Sequence, residues 1–381
     1  MLIESDAHLK SFCAALAGEP AIFIDTEFVG EGRYAPAVGA IQLAAGDKAV
    51  LVDPLAVHDF TPLFALLRDP GIIKVFHAAG QDLIILFNMM GTPVAPVFDT
   101  QIAYALLDSD GQISFLNLVE RVTGTRLQKA HGFTDWLRRP LSQGQVEYAL
   151  DDVRYLIPVY VKLQAELQRL GRESWAREEF TKLEDAARYT PPAPDMLYLR
   201  LGGIDRLSGQ AVAVAAKLAA YRDETARREN LPPGRIMKDE VLLEYARHPR
   251  KTMKELLEVR GVQAQQINRY GAGILAAIDK GLNSPKISLP RGHGLSPALE
   301  PTVDFLTLCL RSLARDNSVS SSILANRHDL IELVEKEADA NVPLLRGWRR
   351  EAVGNTLLAT LAGDATAHIV PGTREVKLHW K

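Results

Sequence analysis

AIFIDTEF, at residues 21–28, is the stretch of this sequence that decides the fold. Its β-branched and aromatic residues predict a short, nearly buried strand. Asp25 and Glu27 are two residues apart within it, so their side chains project from the same face. Two carboxylates on a buried strand would be costly to desolvate and would repel each other. A bound Mg²⁺ or Mn²⁺ would remove both costs, although a solvent-exposed strand end or pairing with Arg or Lys would also do so.

The segments around this strand predict an α/β domain. GAIQLAA (39–45) and KAVLVD (48–53) are spaced as a hairpin, and IIKVFH (72–77) predicts a further strand. Helical patterns precede the first strand at 6–18 and lie between strands at 60–68, and from about residue 80 helical periodicity dominates. Strands followed by helices that pack around them indicate a mixed sheet flanked by helices.

Acidic residues recur where strands give way to helices. Asp82 lies in the first turn of a predicted helix after the strand that ends near His77, where an acid complementing the helix dipole is a sufficient explanation. Asp99 precedes a helix at Thr100, and we expect it to be an N-cap. For His77 we favour a structural hydrogen bond over a role as a metal ligand, and we count it among the candidate substrate contacts.

Tyr148 and Asp152 lie in a strongly helical segment, YALDDVRYLIPVY (148–160). Their spacing of four places them on one face, a turn apart. Asp151 is rotated by about 100°. Helix geometry therefore selects Asp152, and not Asp151, as the partner of Tyr148.

Taken in order, these motifs resemble those of the DEDDy exonucleases, and those of the ribonuclease D family in particular. The resemblance is carried by IDTEFVGEGRYAPAVGAIQLA (24–44), VFHAAGQDL (75–83), VFDTQIAYALL (97–107), LQKAHGFTDWLRRPLS (127–142) and YALDDVRYLIPVY (148–160). Ala35, Ala37, Val38 and Gly39 depart from it, since larger residues are expected there. The resemblance implies a ribonuclease H-like α/β exonuclease domain.

The resemblance also implies roles for the site residues. Asp25 would bridge two divalent ions, Mg²⁺ or Mn²⁺, with Glu27 and Asp152 completing the first metal site and Asp82 holding the second. Tyr148 would orient the attacking water, because a phenol with a pKa near 10 is a poor base at neutral pH. Phe28 could stack on the terminal base.

Two breaks divide the rest of the chain. TPPAPD (190–195) cannot continue a helix, and NSPKISLPRGHGLSP (283–297) is rich in Pro, Gly and Ser. The segment between them, with LAAYRDETARRENLPPGRIMKDE (218–240), LLEVRGV (256–262) and RYGAGILAAI (269–278), resembles an HRDC domain, and LRGWRREAVG (345–354) resembles a second, more divergent one. We therefore predict an exonuclease domain at 1–195 followed by two all-α HRDC-type domains at 196–288 and 289–381, and we expect 1–195 to fold alone.

Charge is divided unevenly along the chain. Residues 1–160 contain 11 Lys/Arg and 19 Asp/Glu, whereas residues 206–290 contain 15 and 9, although the whole chain carries only −3. An acidic half beside a basic segment is typical of a metal-dependent catalytic domain next to one that binds a polyanion. Arg227, Arg228 and Arg235 are the candidate phosphate contacts, and an ordinary solvated face is the alternative reading.

Three further features of the sequence predict the cellular compartment of the protein. The chain has no apolar run long enough to span a bilayer, its start MLIESDAHLK lacks a signal-peptide pattern, and its two cysteines, Cys13 and Cys309, are far apart. We expect a cytoplasmic protein without a membrane association or a disulfide framework, and a monomer.

The implied activity is 3′→5′ hydrolysis of RNA that releases 5′-mononucleotides, with tRNA precursors and other structured RNA 3′ ends as substrates. Two alternatives remain: a DEDDy DNA exonuclease with the same catalytic residues, and a catalytically inactive RNA-binding scaffold. A dinucleotide-binding enzyme is disfavoured because no G-x-G-x-x-G follows the first strand.

Overall fold

The computed structural model of this chain describes residues 1–127, 134–289 and 295–380. Part of the LQKAHGFTDWLRRPLS stretch, residues 128–133, therefore lies outside the described residues. The chain forms two compact units. The first contains Met1–Glu27, Val38–Tyr189 and Gly294–Lys381, and the second contains Phe28–Ala37 and Thr190–His293.

A six-stranded mixed sheet forms the centre of the first unit. Its strands are β1 (Leu2–Ile3), β2 (Ala21–Val29), β3 (Ala37–Ala45), β4 (Lys48–Val52), β5 (Ile73–Phe76) and β6 (Val97–Asp99), in the order β1-β4-β3-β2-β5-β6. Strands β3 and β4 form the predicted antiparallel hairpin, whereas β2 pairs parallel with β5, and β5 with β6. The predicted mixed sheet is confirmed.

Helices cover both faces of this sheet. They are α1 (Asp6–Ala15), α2 (Thr61–Arg68), α3 (Gly80–Met90), α4 (Thr100–Ala105), α5 (Phe115–Thr123), α6 (Gln143–Arg169) and α7 (Glu173–Thr181). Alternate residues of β2 enter different cores: Ile22 and Ile24 pack with α1, α2 and α3, whereas Phe23 packs with α4 to α7. By the same alternation, Asp25 and Glu27 project towards the face that α6 covers.

The C-terminal block belongs to the first unit. It consists of α13 (Glu300–Asp316), α14 (Ser321–Leu324), α15 (Arg327–Lys336), α16 (Gly347–Arg349), a π-helical turn (Arg350–Gly354), α17 (Asn355–Leu361), β7 (Ala365–Ile369) and β8 (Val376–Trp380). Its apolar residues share one buried cluster with Phe23 and Tyr160 of the exonuclease half. The boundaries at 195 and 288 stay predictions, but this shared core argues against the expectation that residues 1–195 fold alone.

Strands β7 and β8 form an antiparallel hairpin that the helical pattern did not predict. The segment is short and partly exposed, so its apolar alternation is weak. A tertiary contact fixes it: the hydroxyl of Ser312 on α13 donates to the carbonyl of Val376 at 2.6 Å. No helix among residues 1–127, 134–289 and 295–380 is long and apolar enough to cross a membrane.

The second unit is helical, as predicted. Its main helices are α8 (Gln210–Glu229), α9 (Pro233–Ile236), α10 (Asp239–Arg247), α11 (Met253–Leu257) and α12 (Ala264–Leu282). Helices α8 and α12 pack closely at Gly281. A Cβ at this position would come within 2.4 Å of the Cα of Val214. Gly281 is therefore required for packing.

Candidate active site

Three carboxylates from distant parts of the sequence meet at one point. One carboxylate oxygen from each of Asp25, Glu27 and Asp152 lies within 4.8 Å of the other two, and all three side chains are half-buried. Strand β2 supplies Asp25 and Glu27, and α6, which crosses the same face, supplies Asp152. Helix α6 begins with a capping box in which Ser142 and Gln145 exchange hydrogen bonds, and this fixes the helix start about two and a half turns before Asp152.

Asp82 lies next to this cluster. Its side chain is only 7% exposed in the first turn of α3 and accepts a hydrogen bond of 2.5 Å from the hydroxyl of Thr26, the residue between Asp25 and Glu27. Its charge helps to raise the pKa of both Asp25 and Glu27. The first-turn position therefore puts Asp82 within electrostatic range of Asp25 and Glu27.

The pKa values of all four acids are raised. Burial raises the pKa of Asp25 well above its usual value, with further contributions from Asp82, Asp152 and Glu27. Burial also raises the pKa of Glu27 to about 8, that of Asp152 to about 7 and that of Asp82 to about 6. Without a compensating cation, Asp25 and Glu27 therefore hold protons at neutral pH, and the crowding of the four carboxyl groups favours a positively charged ligand.

The donor set fits hard divalent ions. Closely spaced carboxylate oxygens are the ligands that Mg²⁺ and Mn²⁺ prefer, and no histidine or cysteine is among the three clustered residues. Asp151 points away from the cluster: it is 42% exposed and pairs with Arg154 at 3.2 Å. The choice of Asp152 over Asp151 from helix geometry agrees with this placement.

Tyr148 lies one turn before Asp152 and is half-buried. Its ring packs against that of Trp136, with 6.3 Å between the ring centroids. Burial raises the pKa of Tyr148, and the nearby charges of Asp152, Glu27 and Asp25 raise it further. The phenol therefore keeps its proton at neutral pH and can act through hydrogen bonds, but not as a base.

The segment before α6 is anchored to the sheet by Trp136 and Arg139. The Arg139 guanidinium donates to both carboxylate oxygens of Asp53 at 2.6 Å and to the carbonyl of Gly39 at 2.7 Å. A Cβ at Gly39 would lie 2.6 Å from Trp136, so only glycine allows this approach. No local sequence signal indicates that this stretch supports Tyr148 from behind, because Arg139 and Asp53 are 86 positions apart.

Asp99 and His77 have structural partners. Asp99 accepts from the amides of Gln101 and Ile102, which confirms the predicted N-cap, and from those of Ala78 and Ala79. The Thr100 hydroxyl donates to the carbonyl of Phe76, so it accepts from Nδ1 of His77 at 2.9 Å. Burial lowers the pKa of His77. The hydrogen bond to Thr100 supports the structural role predicted for His77. A contact between His77 and the substrate stays a prediction.

The other candidate substrate contacts, Phe28, Arg227, Arg228 and Arg235, belong to the second unit. Phe28 is half-buried at the end of β2. In the second unit, Arg227 pairs with Asp223 at 3.0 Å and Arg228 lies 3.7 Å from Glu229. Arg235 is exposed, and no carboxylate within the described ranges forms an ion pair with it. Their contact with a substrate remains a prediction.

Known proteins resemble this chain over most of its length. A family model described as a 3′-5′ exonuclease matches residues 1–168, and one described as an HRDC domain matches residues 212–278. A protein named ribonuclease D from Nitrobacter hamburgensis is 38% identical over 97% of this chain and 97% of its own length. Another from Gluconacetobacter diazotrophicus is also 38% identical, over 98% of this chain and 95% of its own.

Solved structures of other proteins also resemble this chain. The crystal structure of Escherichia coli RNase D, described as an exoribonuclease involved in structured RNA processing, is 30% identical with a TM-score of 0.86, covering 94% of this chain and 98% of that one. The catalytic core of RRP6 from Trypanosoma brucei, 24% identical with a TM-score of 0.58 over 74% of this chain and 79% of its own, shares the fold.

Proposed function

The chain belongs to the ribonuclease D family of 3′→5′ exoribonucleases, and from that premise we propose that it hydrolyses RNA 3′ ends by a two-metal mechanism and releases 5′-mononucleotides. The convergence of Asp25, Glu27 and Asp152, with Asp82 beside them, is the observation that carries this proposal. We further propose that tRNA precursors and other structured RNAs with free 3′ ends are its substrates.

Each site residue has a separate part in this proposal. Asp25, Glu27, Asp82 and Asp152 would hold two divalent ions, Mg²⁺ or Mn²⁺, and Asp25 would be the ligand common to both. When bound, the ions lower the pKa of a water molecule and stabilise the charge on the departing 3′ oxygen. Tyr148 donates a hydrogen bond that orients the attacking water, and its packing on Trp136 fixes the ring. Phe28 stacks on the terminal base.

The test is degradation of a tRNA carrying extra 3′ nucleotides, with and without Mn²⁺, beside single-stranded DNA of matched sequence. We expect metal-dependent release of 5′-mononucleotides from RNA, with DNA degraded more slowly. Faster degradation of DNA would favour the DNA exonuclease. Binding of RNA without cleavage, together with no Mn²⁺ or Mg²⁺ site in calorimetry, would identify an inactive scaffold.

Metal binding should change how stability depends on pH. Glu27 has a pKa of about 8 in the folded, metal-free protein and about 4.5 when unfolded, so the folded state holds more protons between those values. The stability of the metal-free protein should therefore fall as pH rises from about 5 to 8. Mn²⁺ must displace these protons, so the thermal shift that Mn²⁺ produces should be larger at pH 8 than at pH 6.

Differential scanning calorimetry at the two pH values checks this, with K⁺ at equal ionic strength as the control. An Mn²⁺-induced shift that is the same at pH 6 and pH 8 would mean that the clustered carboxylates are not the ligands.

Tyr148→Phe should keep metal binding and lower turnover. The ring and its packing remain, and only the hydroxyl that orients water is lost, so we expect kcat to fall on the order of tenfold to a thousandfold. Single-turnover kinetics and Mn²⁺ titration measure the two effects. Tyr155→Phe, a change at another tyrosine of α6, is the matched control. Unchanged turnover would remove the water-orienting role, and lost metal affinity would make Tyr148 a structural support.

The basic face of the second unit should contribute to RNA affinity without sequence preference. Arg228→Gln and Arg235→Gln should each weaken binding to single-stranded RNA and reduce the slope of log K against log salt by about 0.7. Fluorescence anisotropy between low and physiological salt gives this slope. Lys162→Gln, on the exposed face of α6, is the control. Unchanged slopes in both variants would show that this face is merely solvated.

A further inference from the structure

The segment Phe28–Ala37 follows Glu27 directly in the chain but belongs to the second, helical unit. It connects β2 to β3, and residues 30–36 of it form neither helix nor strand. Gly30, Gly32 and Ala35 give this connection little side-chain packing of its own, and Gly32 has a φ of +73°. Such a connection needs an external support to hold one conformation.

Tyr34 is the point where this support is applied. Its ring packs against the apolar core of the second unit. Its hydroxyl donates to Asp223 Oδ1 at 2.8 Å and accepts from Arg227 Nη2 at 3.3 Å, and its amide donates to Asn230 Oδ1 at 3.2 Å. The Arg227 guanidinium also lies over the ring, 5.6 Å from its centroid.

The three partners of Tyr34 occupy one face at the end of α8. Asp223, Arg227 and Asn230 are spaced by four and then three residues, which aligns them along a single stripe of the helix. Asn230 is the C-cap, in the left-handed conformation with a φ of 50°. The two oxygens of Asp223 are divided between Tyr34 and Arg227, so one carboxylate holds both. We call these four residues the Tyr34 clamp.

Charge within the clamp is balanced locally. Burial raises the pKa of Tyr34, so its hydroxyl remains a donor to Asp223 at neutral pH. Arg227 is paired with that same Asp223 and packed on the tyrosine ring, which offsets its charge. Nη2 of Arg227 already donates to Tyr34 and to Asp223. These contacts give Arg227 a role in the clamp, and the phosphate contact predicted from the sequence stays a prediction.

We propose that the Tyr34 clamp is a positioning device for the RNA 3′ end: by fixing the β2–β3 connection from the helical unit, it holds the backbone that continues from Glu27 and Phe28. This rests on the proposed exoribonuclease function. The residues of the clamp are positioning residues, since they act through the connection and not on the reacting atoms. Loss of the clamp frees the connection, and the terminal nucleotide then binds a strand end that is less ordered.

Tyr34→Phe tests this with minimal disturbance, because the ring stays and both hydroxyl hydrogen bonds are lost. We expect faster amide hydrogen exchange across residues 30–36, a KM for single-stranded RNA raised about tenfold, and a smaller change in kcat. Mn²⁺ affinity and the salt slope of RNA binding should stay at wild-type values. Asp223→Asn should give the same pattern. Combining it with Tyr34→Phe should raise KM and amide exchange no further than Asp223→Asn alone, because both substitutions disrupt the same contact between Tyr34 and Asp223.

Tyr221→Phe is the matched control. Tyr221 is also on α8, and its hydroxyl donates to the carbonyl of Tyr270 at 3.1 Å within the same unit. Equal effects of the two substitutions on exchange and KM would show a general loss of stability and overturn the proposal. So would unchanged exchange and KM in Tyr34→Phe, or a reduced salt slope, which would mark a lost phosphate contact. If the wild-type protein degrades no RNA, the proposed function fails and the positioning role fails with it, whereas the exchange measurement still reports on the clamp.

Discussion

Asp25→Asn is expected to lower the rate of RNA hydrolysis by at least about 10³-fold while leaving the protein folded. Asp25 is the acid whose pKa is influenced by each of Asp82, Asp152 and Glu27, so it lies at the electrostatic centre of the site. The amide cannot supply the negative charge that a shared metal ligand provides. Its loss should also abolish the stabilisation by Mn²⁺.

The same substitution should stabilise the metal-free protein. Removing one of several repelling, buried carboxylates relieves part of the cost that raises their pKa values. Thermal melts with EDTA should therefore show a melting temperature no lower than that of wild type. This separates the loss of chemistry from a loss of folding, since a destabilised variant would melt earlier.

Asp151→Asn is the matched control for Asp25→Asn. Asp151 is next to Asp152 in sequence, but it is exposed and paired with Arg154. We expect hydrolysis within about twofold of wild type, because its charge acts on Asp152 only from outside the cluster. A large loss of activity in Asp151→Asn together with an active Asp25→Asn would overturn the assignment of the metal ligands.

Arg349→Met is expected to destabilise the protein by about 3–5 kcal/mol, because it leaves a buried carboxylate without its main partner. Arg349 of the C-terminal block donates to both oxygens of Glu179 on α7, and both side chains are 7% exposed. The Trp348 indole donates to the same carboxylate at 2.9 Å. Burial alone would raise the pKa of Glu179, but Arg349, Lys182 and Trp348 hold it below its usual value.

The loss of stability in Arg349→Met should depend on pH in a defined direction. The lowered pKa of Glu179 contributes stability above its unfolded pKa of about 4.5, and that contribution is lost as pH falls through the folded value. In Arg349→Met the contribution should disappear, so the difference from wild type should be larger at pH 7 than near pH 4. Urea denaturation at the two pH values measures it.

Two further variants test whether the loss of stability comes from the buried pair of Arg349 and Glu179. Glu179→Gln combined with Arg349→Met removes both charges and should recover part of the lost stability. Arg327→Met removes an arginine that is also doubly paired, with Glu300 and Asp304, but is half-exposed, and it should melt close to wild type. If Arg349→Met also melts close to wild type, the C-terminal block is not held to α7 by this pair.

Local rules in the sequence predicted which side chains share a face. Strand alternation does this for Asp25 and Glu27, and helix spacing does it for Tyr148 and Asp152. The resemblance to the ribonuclease D family joined these residues and Asp82 into one candidate site, and the structure brings Asp25, Glu27 and Asp152 together with Asp82 beside them. Such rules depend only on the period of one element, which neighbouring residues encode. The mixed sheet was predictable for the same reason, since each strand carried its own apolar pattern.

Only the tertiary structure decided how the helical segments are used. Two segments of similar helical pattern follow the exonuclease half, and their patterns did not show which of them packs against it. The structure packs the second of them against the exonuclease core, with Arg349 donating to Glu179, 170 positions away. Likewise, the charge pattern predicted Arg227 as a phosphate contact, and only the structure shows that it also donates to Tyr34, 193 positions away. Periodicity shows which face of a helix is apolar or charged, but not which distant residue will meet that face. That choice is made when the faces pack together, because only then do burial and pairing fix the free energy of each contact.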